Sequence, residues 1–122
     1  MNVTRNILAA LALGALAACN TMPGQTPAAT LAKATNAYNA AAQVVVAYKG
    51  LAPCGSPLAT QLCSDPTVVL KLKAGDQVAY DALVAAEKAV KSGASNAQIA
   101  LDIAMAAANS LAGQTADLKV KP

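Results

Sequence analysis

The 122-residue chain sets nine Lys and Arg against six Asp and Glu, has no histidine, Phe or Trp, and carries three tyrosines among its 56% hydrophobic residues. A net charge of +3 scattered along the sequence makes no basic stripe for nucleic acid, and without histidine the commonest neutral-pH acid–base group and metal ligand is missing. Alanine dominates, and because it loses least on entering a helix, the composition points to an all-α fold.

In chain order, the first segment reads as a targeting signal. "MNVTRN" carries one positive charge at Arg5, and "ILAALALGALAA" then runs apolar without interruption up to Cys19. A short basic head, an apolar core and a small-residue exit is the secretory pattern; the run falls short of the about 20 residues needed to cross a bilayer. Leu16-Ala17-Ala18-Cys19 resembles the lipobox of bacterial lipoproteins. The resemblance implies cleavage between Ala18 and Cys19, with palmitate-type acyl chains on the Cys19 sulfur and amine. Ordinary signal cleavage after Ala15-Leu16-Ala17 is the alternative, releasing a soluble protein. Residues 1–18 are therefore expected to be a lipoprotein signal peptide, leaving 104 of the 122 residues, enough for one small domain. Asn20 stands where the enterobacterial sorting pattern places an aspartate to retain a lipoprotein in the inner membrane. That resemblance implies the outer membrane, facing the periplasm.

"NTMPGQT" (20–26) has no apolar period and reads as a tether, making 19–26 a lipidated flexible segment of at most about 25 Å. Thr26-Pro27 is an N-cap followed by proline at the first helical position, where no N–H is needed. The first helix should span about 27–49 and stop at Gly50, with Leu31, Ala34, Tyr38, Ala41, Val45 and Tyr48 forming one inward stripe. Asp65-Pro66 repeats the start signal, and a second helix over about 66–92 should close at Gly93. Its inward residues are Val69, Leu72, Ala79, Leu83, Ala86 and Val90. "TVVLKLK" alternates like a strand and Gly75 weakens a helix interior by about 1 kcal/mol, but the apolar register resumes beyond it, so one helix is expected, with Gly75 the place where a kink or break could fall.

"SNAQ" at 95–98 matches a capping box between Ser95 and Gln98. It opens a third helix over about 96–112 that should bury Ile99, Ile103, Ala106 or Ala107, and Ser110 and end at Gly113. The tail 114–122 shows no such pattern and should fray. The expected architecture is a small alanine-rich antiparallel three-helix bundle with its helix axes close together.

The loop "LAPCGSPLATQLCSD" between helices 1 and 2 holds Cys54 and Cys63. An exported compartment would let them persist as a disulfide closing that loop. With Cys19 acylated, no thiol of the three is left over. The spacing is neither the C-x-x-C of oxidoreductases nor a zinc knuckle, so no metal and no cofactor is expected. No catalytic residue is expected either. The mature acids are Asp65, Asp76, Asp81, Glu87, Asp102 and Asp117. Asp65 serves as a cap, while Asp76/Tyr80 and Glu87/Lys91 sit at the i,i+4 spacing of solvated faces. No serine lies in a nucleophile elbow and no glycine-rich loop cradles phosphate. Lys71, Lys73, Lys88 and Lys91 read as solubility residues.

A lipid anchor on an alanine-rich helical body also resembles the major outer-membrane lipoprotein that joins its membrane to peptidoglycan through a C-terminal lysine. Here Lys121 is followed by Pro122 and the helix is broken at Gly50, Pro53 and Gly93, so the anchor carries over and the wall linkage does not. Three functions fit: a structural or interaction protein of the cell envelope whose partner is an envelope protein or peptidoglycan; an exported inhibitor or binding module, such as a phage-borne one, acting through the Cys54–Cys63 loop; and a carrier of an apolar ligand between helices.

Overall fold

A computed structural model describes residues 25–118. Cys19, the proposed cleavage after Ala18 and the last four residues lie outside that range. The described chain folds into α1 (Pro27–Lys49), α2 (Pro66–Lys91) and α3 (Ala97–Ala116), with no named strand among the described residues.

The two cap-plus-proline starts behave as their chemistry requires. The Thr26 hydroxyl accepts from the Ala29 N–H at 3.2 Å, and the Asp65 carboxylate accepts from Thr67 and Val68 N–H at 2.7 and 3.3 Å. These bonds satisfy amides that have no partner inside the helix. Just past Lys91 and the Ser92 cap of α2, Gly93 at φ +63° lets the Ala94 N–H reach the Ala89 carbonyl at 3.0 Å, a left-handed closure that favours glycine. Gly50 ends α1 differently: its φ is −77°, a conformation open to any residue. α2 is continuous through Gly75, so "TVVLKLK" is helical.

The core forms two layers. Ala34, Leu83, Ala86, Leu101 and Ala104 cluster toward the Pro27 end, and Ala41, Val45, Leu72, Ala79 and Leu111 cluster toward the Lys49 end. The early half of α1 therefore meets the late half of α2 and the early half of α3. Consecutive helices are antiparallel, and α1 runs parallel to α3. Leu31, Tyr38 and Tyr48 are half-buried against these layers, as their stripe implied. At the start of α2 it is Val68 that packs on the core. Six of the eleven buried apolar residues are alanine, so helix backbones come close where larger side chains would separate them.

α3 departs from expectation in three ways. No capping box forms: Asn96 is the N-cap and makes no side-chain cap bond, the Ala97 N–H closes a turn on the Ala94 carbonyl, and Gln98 instead donates to Asp102 at 2.9 Å. The i,i+4 partner one turn ahead outcompetes the reach back to Ser95. The helix does not stop at Gly113 but continues to Ala116, because Thr115 is buried and Leu118 packs on the lower layer; residues 114–116 are thus helix rather than frayed tail. The buried face is also different. Leu101, Ala104, Ala108, Leu111 and Thr115 are buried, while Ile99 and Ile103 are 64% and 57% exposed and Ala106 and Ser110 are exposed as well; of the expected residues, the alternative Ala107 alone packs on the core, half-buried.

Candidate functional site: the disulfide-closed loop

The loop between α1 and α2 is built from its base outward. The hydroxyl of half-buried Tyr48, one residue before the end of α1, accepts from the Asp65 N–H at 2.9 Å and ties the two helix ends together. Ser64, 6% exposed, exchanges backbone bonds with the strand-like run opposite: its N–H donates to the Ala52 carbonyl and its carbonyl accepts from the Cys54 N–H, both at 3.0 Å. Its hydroxyl donates to the Leu51 carbonyl at 2.9 Å. Every polar group of this buried serine is thereby paired, as burial demands.

Beyond that base, Cys54 and Cys63 are bonded, S–S 2.03 Å, with Cα atoms 4.9 Å apart. The loop tip turns on short bonds, Ser56 N–H to the Pro53 carbonyl at 3.1 Å and Ala59 N–H to the Ser56 carbonyl at 3.0 Å. Gly55 sits at φ +83°, a left-handed position suited to glycine. Residues 50–64 contain no charged side chain. Leu58 is 81% exposed at the tip and Leu62 46%. Below them a groove of about 480 Å³ is lined by Val44, Tyr48, Leu51, Leu62, Val68 and Leu118. The loop is an apolar, uncharged knob held by one covalent bond and a satisfied polar base.

Charge stands only at the loop's edges, on Lys49 and Asp65 beside it and on Asp117 in the groove; for Asp65 the surroundings set the titration. The amides of Thr67 and Val68 hold its carboxyl below the ordinary carboxylate range. At mid-bundle, burial first and then the Asp76 carboxylate beside it push the Tyr38 hydroxyl above its usual value, and Tyr38 packs on Tyr80 with ring centroids 6.4 Å apart. Asp76 is therefore a half-buried neighbour of Tyr38, not part of a solvated face. Glu87 and Lys91 do pair in solvent. Among the described residues no three His, Cys, Asp or Glu side chains converge on a metal-sized site, and no helix is long and apolar enough to cross a membrane. A second groove of about 660 Å³ runs between α2 and α3 along Val68, Leu72, Ala74, Val78 and Ala107, and the Gln114 side chain lies across Gly75 in it.

The structure thus joins Cys54 to Cys63. Sequence reasoning missed the roles of Tyr48 and Ser64 at the loop base. For Tyr48 the signal was present, a phenol at the C-terminal end of an inward stripe; for Ser64 there was none. Comparison with protein-family models, curated proteins and solved structures returns no significant match.

Proposed function

We propose that the chain is a lipid-anchored protein of the cell envelope, held through acylated Cys19 at the periplasmic face of the outer membrane. There it serves a structural or interaction role toward an envelope protein or peptidoglycan. The observation that carries this reading is the Cys54–Cys63 bond. Of three cysteines it accounts for two, and the third is the one in the lipobox-like Leu16-Ala17-Ala18-Cys19. A persistent disulfide also suits an exported protein.

The bundle's polarity adds a direction. α1 begins at Pro27, next to the proposed tether, and its 23 residues carry the chain about 35 Å to the end where the loop sits. The loop is at the pole far from the anchor, suited to meeting a partner away from the membrane. The reading assigns the protein a binding role and no catalytic step.

The test is metabolic palmitate labelling with membrane fractionation of wild type and Cys19→Ala. Label and membrane retention that depend on Cys19 support the anchor; unlabelled soluble export refutes it. A second reading, an exported inhibitor or binding module acting through the loop, draws on Leu58 exposed at 81% on an uncharged, covalently closed tip. A captured partner that is lost in Cys54→Ser/Cys63→Ser while the helices stay folded selects this module.

A further inference from the structure

The chain has three aromatic rings in all, and two of them, Tyr38 and Tyr80, meet across one groove between α1 and α2 with centroids 6.4 Å apart and planes inclined by 48°. The groove holds about 580 Å³, within the roughly 300–1,000 Å³ of ligand pockets. It follows α1 from Ala28 to Asn39, about 17 Å along the helix. Core packing accounts for Tyr38, which is half-buried against the layer toward the Pro27 end with the Asp76 carboxylate beside its hydroxyl. It does not account for Tyr80, which is 52% exposed. Nor does it account for Asn36 and Asn39, two exposed carboxamides in the middle of an alanine-rich helix, where asparagine is a poor helix former. Three residues apart, they share one side of α1 and line the groove.

We propose that this groove binds a short neutral oligosaccharide of N-acetylated amino sugars. Each part of the lining answers one part of such a ligand. A pyranose ring carries a face of C–H groups that stacks on the negative face of a tyrosine ring. Its hydroxyls and its acetamido N–H and C=O both donate and accept, as do the Asn36 and Asn39 carboxamides. The acetyl methyl finds apolar surface on Leu31 and Val84, which a plain sugar would leave unused. Charge points the same way. Among the described residues no lysine or arginine lines the groove, and its one carboxylate, Glu87, is paired with Lys91. The lining therefore offers no free counter-charge to an anion or a cation, whereas a purely apolar ligand would make no use of either carboxamide.

The groove opens sideways from the half of the bundle next to Pro27, so an upright bundle leaves it accessible and leaves the loop at the far pole free. The proposal goes beyond the anchored-interaction reading, because it stands on the groove lining and not on Cys19 or the loop. Palmitate labelling without sugar binding would overturn this proposal alone, and sugar binding without labelling would overturn the anchor alone.

The test is titration of the purified protein with tri-N-acetylchitotriose, followed by tyrosine emission, which has no tryptophan background, and by saturation-transfer NMR. Emission should change saturably, and transfer should be strongest at the acetyl methyls. Cellotriose, the same backbone without acetamido groups, should bind about tenfold more weakly, the equivalent of about 1.4 kcal/mol. Asn36→Ala/Asn39→Ala raises helix propensity, so it should keep the helical circular dichroism while lowering affinity for the trisaccharide by at least the same factor. Tyr80→Ala, at an exposed position, should do likewise, and Leu70→Ala, exposed on α2 outside the groove, should change nothing. Purified sacculi that sediment the protein, with the trisaccharide competing, assign the ligand to the wall strand; trisaccharide binding without sedimentation assigns it to soluble fragments. The proposal is overturned if neither trisaccharide nor sacculi bind, if sacculi bind without competition, if cellotriose binds equally well, or if Asn36→Ala/Asn39→Ala and Tyr80→Ala bind as the wild type does.

Discussion

Replacing both loop cysteines, Cys54→Ser/Cys63→Ser, isolates what the covalent closure contributes. The bonded residues are nine apart in sequence. A ring of about ten residues removes roughly 9 cal/mol/K from the unfolded chain in the loop-entropy model, or about 2.7 kcal/mol at 25 °C. None of the ring residues belongs to either core layer. The ring's base keeps its own bonds, Ser64 to Leu51 and Asp65 to Tyr48. The native helices should therefore survive, and the loss should appear as stability alone. For a domain of this size about 2.7 kcal/mol corresponds to a fall in Tm of roughly 11–22 °C. In urea, the midpoint should drop and the m-value rise slightly, because the uncrosslinked chain unfolds to a larger surface. Thermal and urea unfolding of the purified protein, followed by helical circular dichroism, measures both. A change below about 0.5 kcal/mol would refute the entropic account, and loss of helix at 25 °C would show that the ring helps hold the bundle rather than only restricting the unfolded chain.

Gly75→Ala tests whether close packing demands glycine in α2. The new Cβ would fall 2.6 Å from Gln114 Oε1, the end of an exposed, flexible side chain that can swing away, while the helix gains up to about 1 kcal/mol; the variant should unfold at or above the wild-type midpoint, and a loss of about 2 kcal/mol would mean Gln114 cannot move. Tyr48→Phe removes the acceptor of the Asp65 N–H and should cost about 1 kcal/mol in urea unfolding, with faster amide exchange at Asp65 as the local signature. Asp65 gives a signed pH effect. Its folded carboxyl titrates below the ordinary carboxylate range, so its contribution is complete above that range and is lost as pH falls through the lower folded value. Asp65→Asn, which keeps the cap acceptor, should flatten acid unfolding in that window; an unchanged acid profile would contradict the assignment.

The helix starts show how local chemistry reads through. Thr26-Pro27 and Asp65-Pro66 each combine an acceptor side chain with a residue that lacks the N–H a first turn cannot use, and both open helices at the residue expected. The loop was equally legible, because two cysteines flanked by prolines between two capped helices, at neither redox nor metal spacing, have few other uses. At the candidate site, the bond was readable and its polar support was not: Ser64 is buried only because the chain returns past Leu51 and Cys54, a long-range fact with no trace in nearby residues.

By itself the sequence determined three helices, the first residues of α1 and α2, their order and the covalent loop, since caps, prolines and spacing act over a few residues. The tertiary structure alone decided which side of α3 is inside. That helix carries two stripes of the same period, one with Leu101 and Leu111, the other with Ile99 and Ile103, and each satisfies the periodicity equally well. The choice depends on which stripe meets the alanine faces of α1 and α2 at close axis spacing, where Ala104 and Ala108 fit. The same packing carried the helix past Gly113, because Thr115 and Leu118 still had core to cover, and burial there outweighed the local signal to stop.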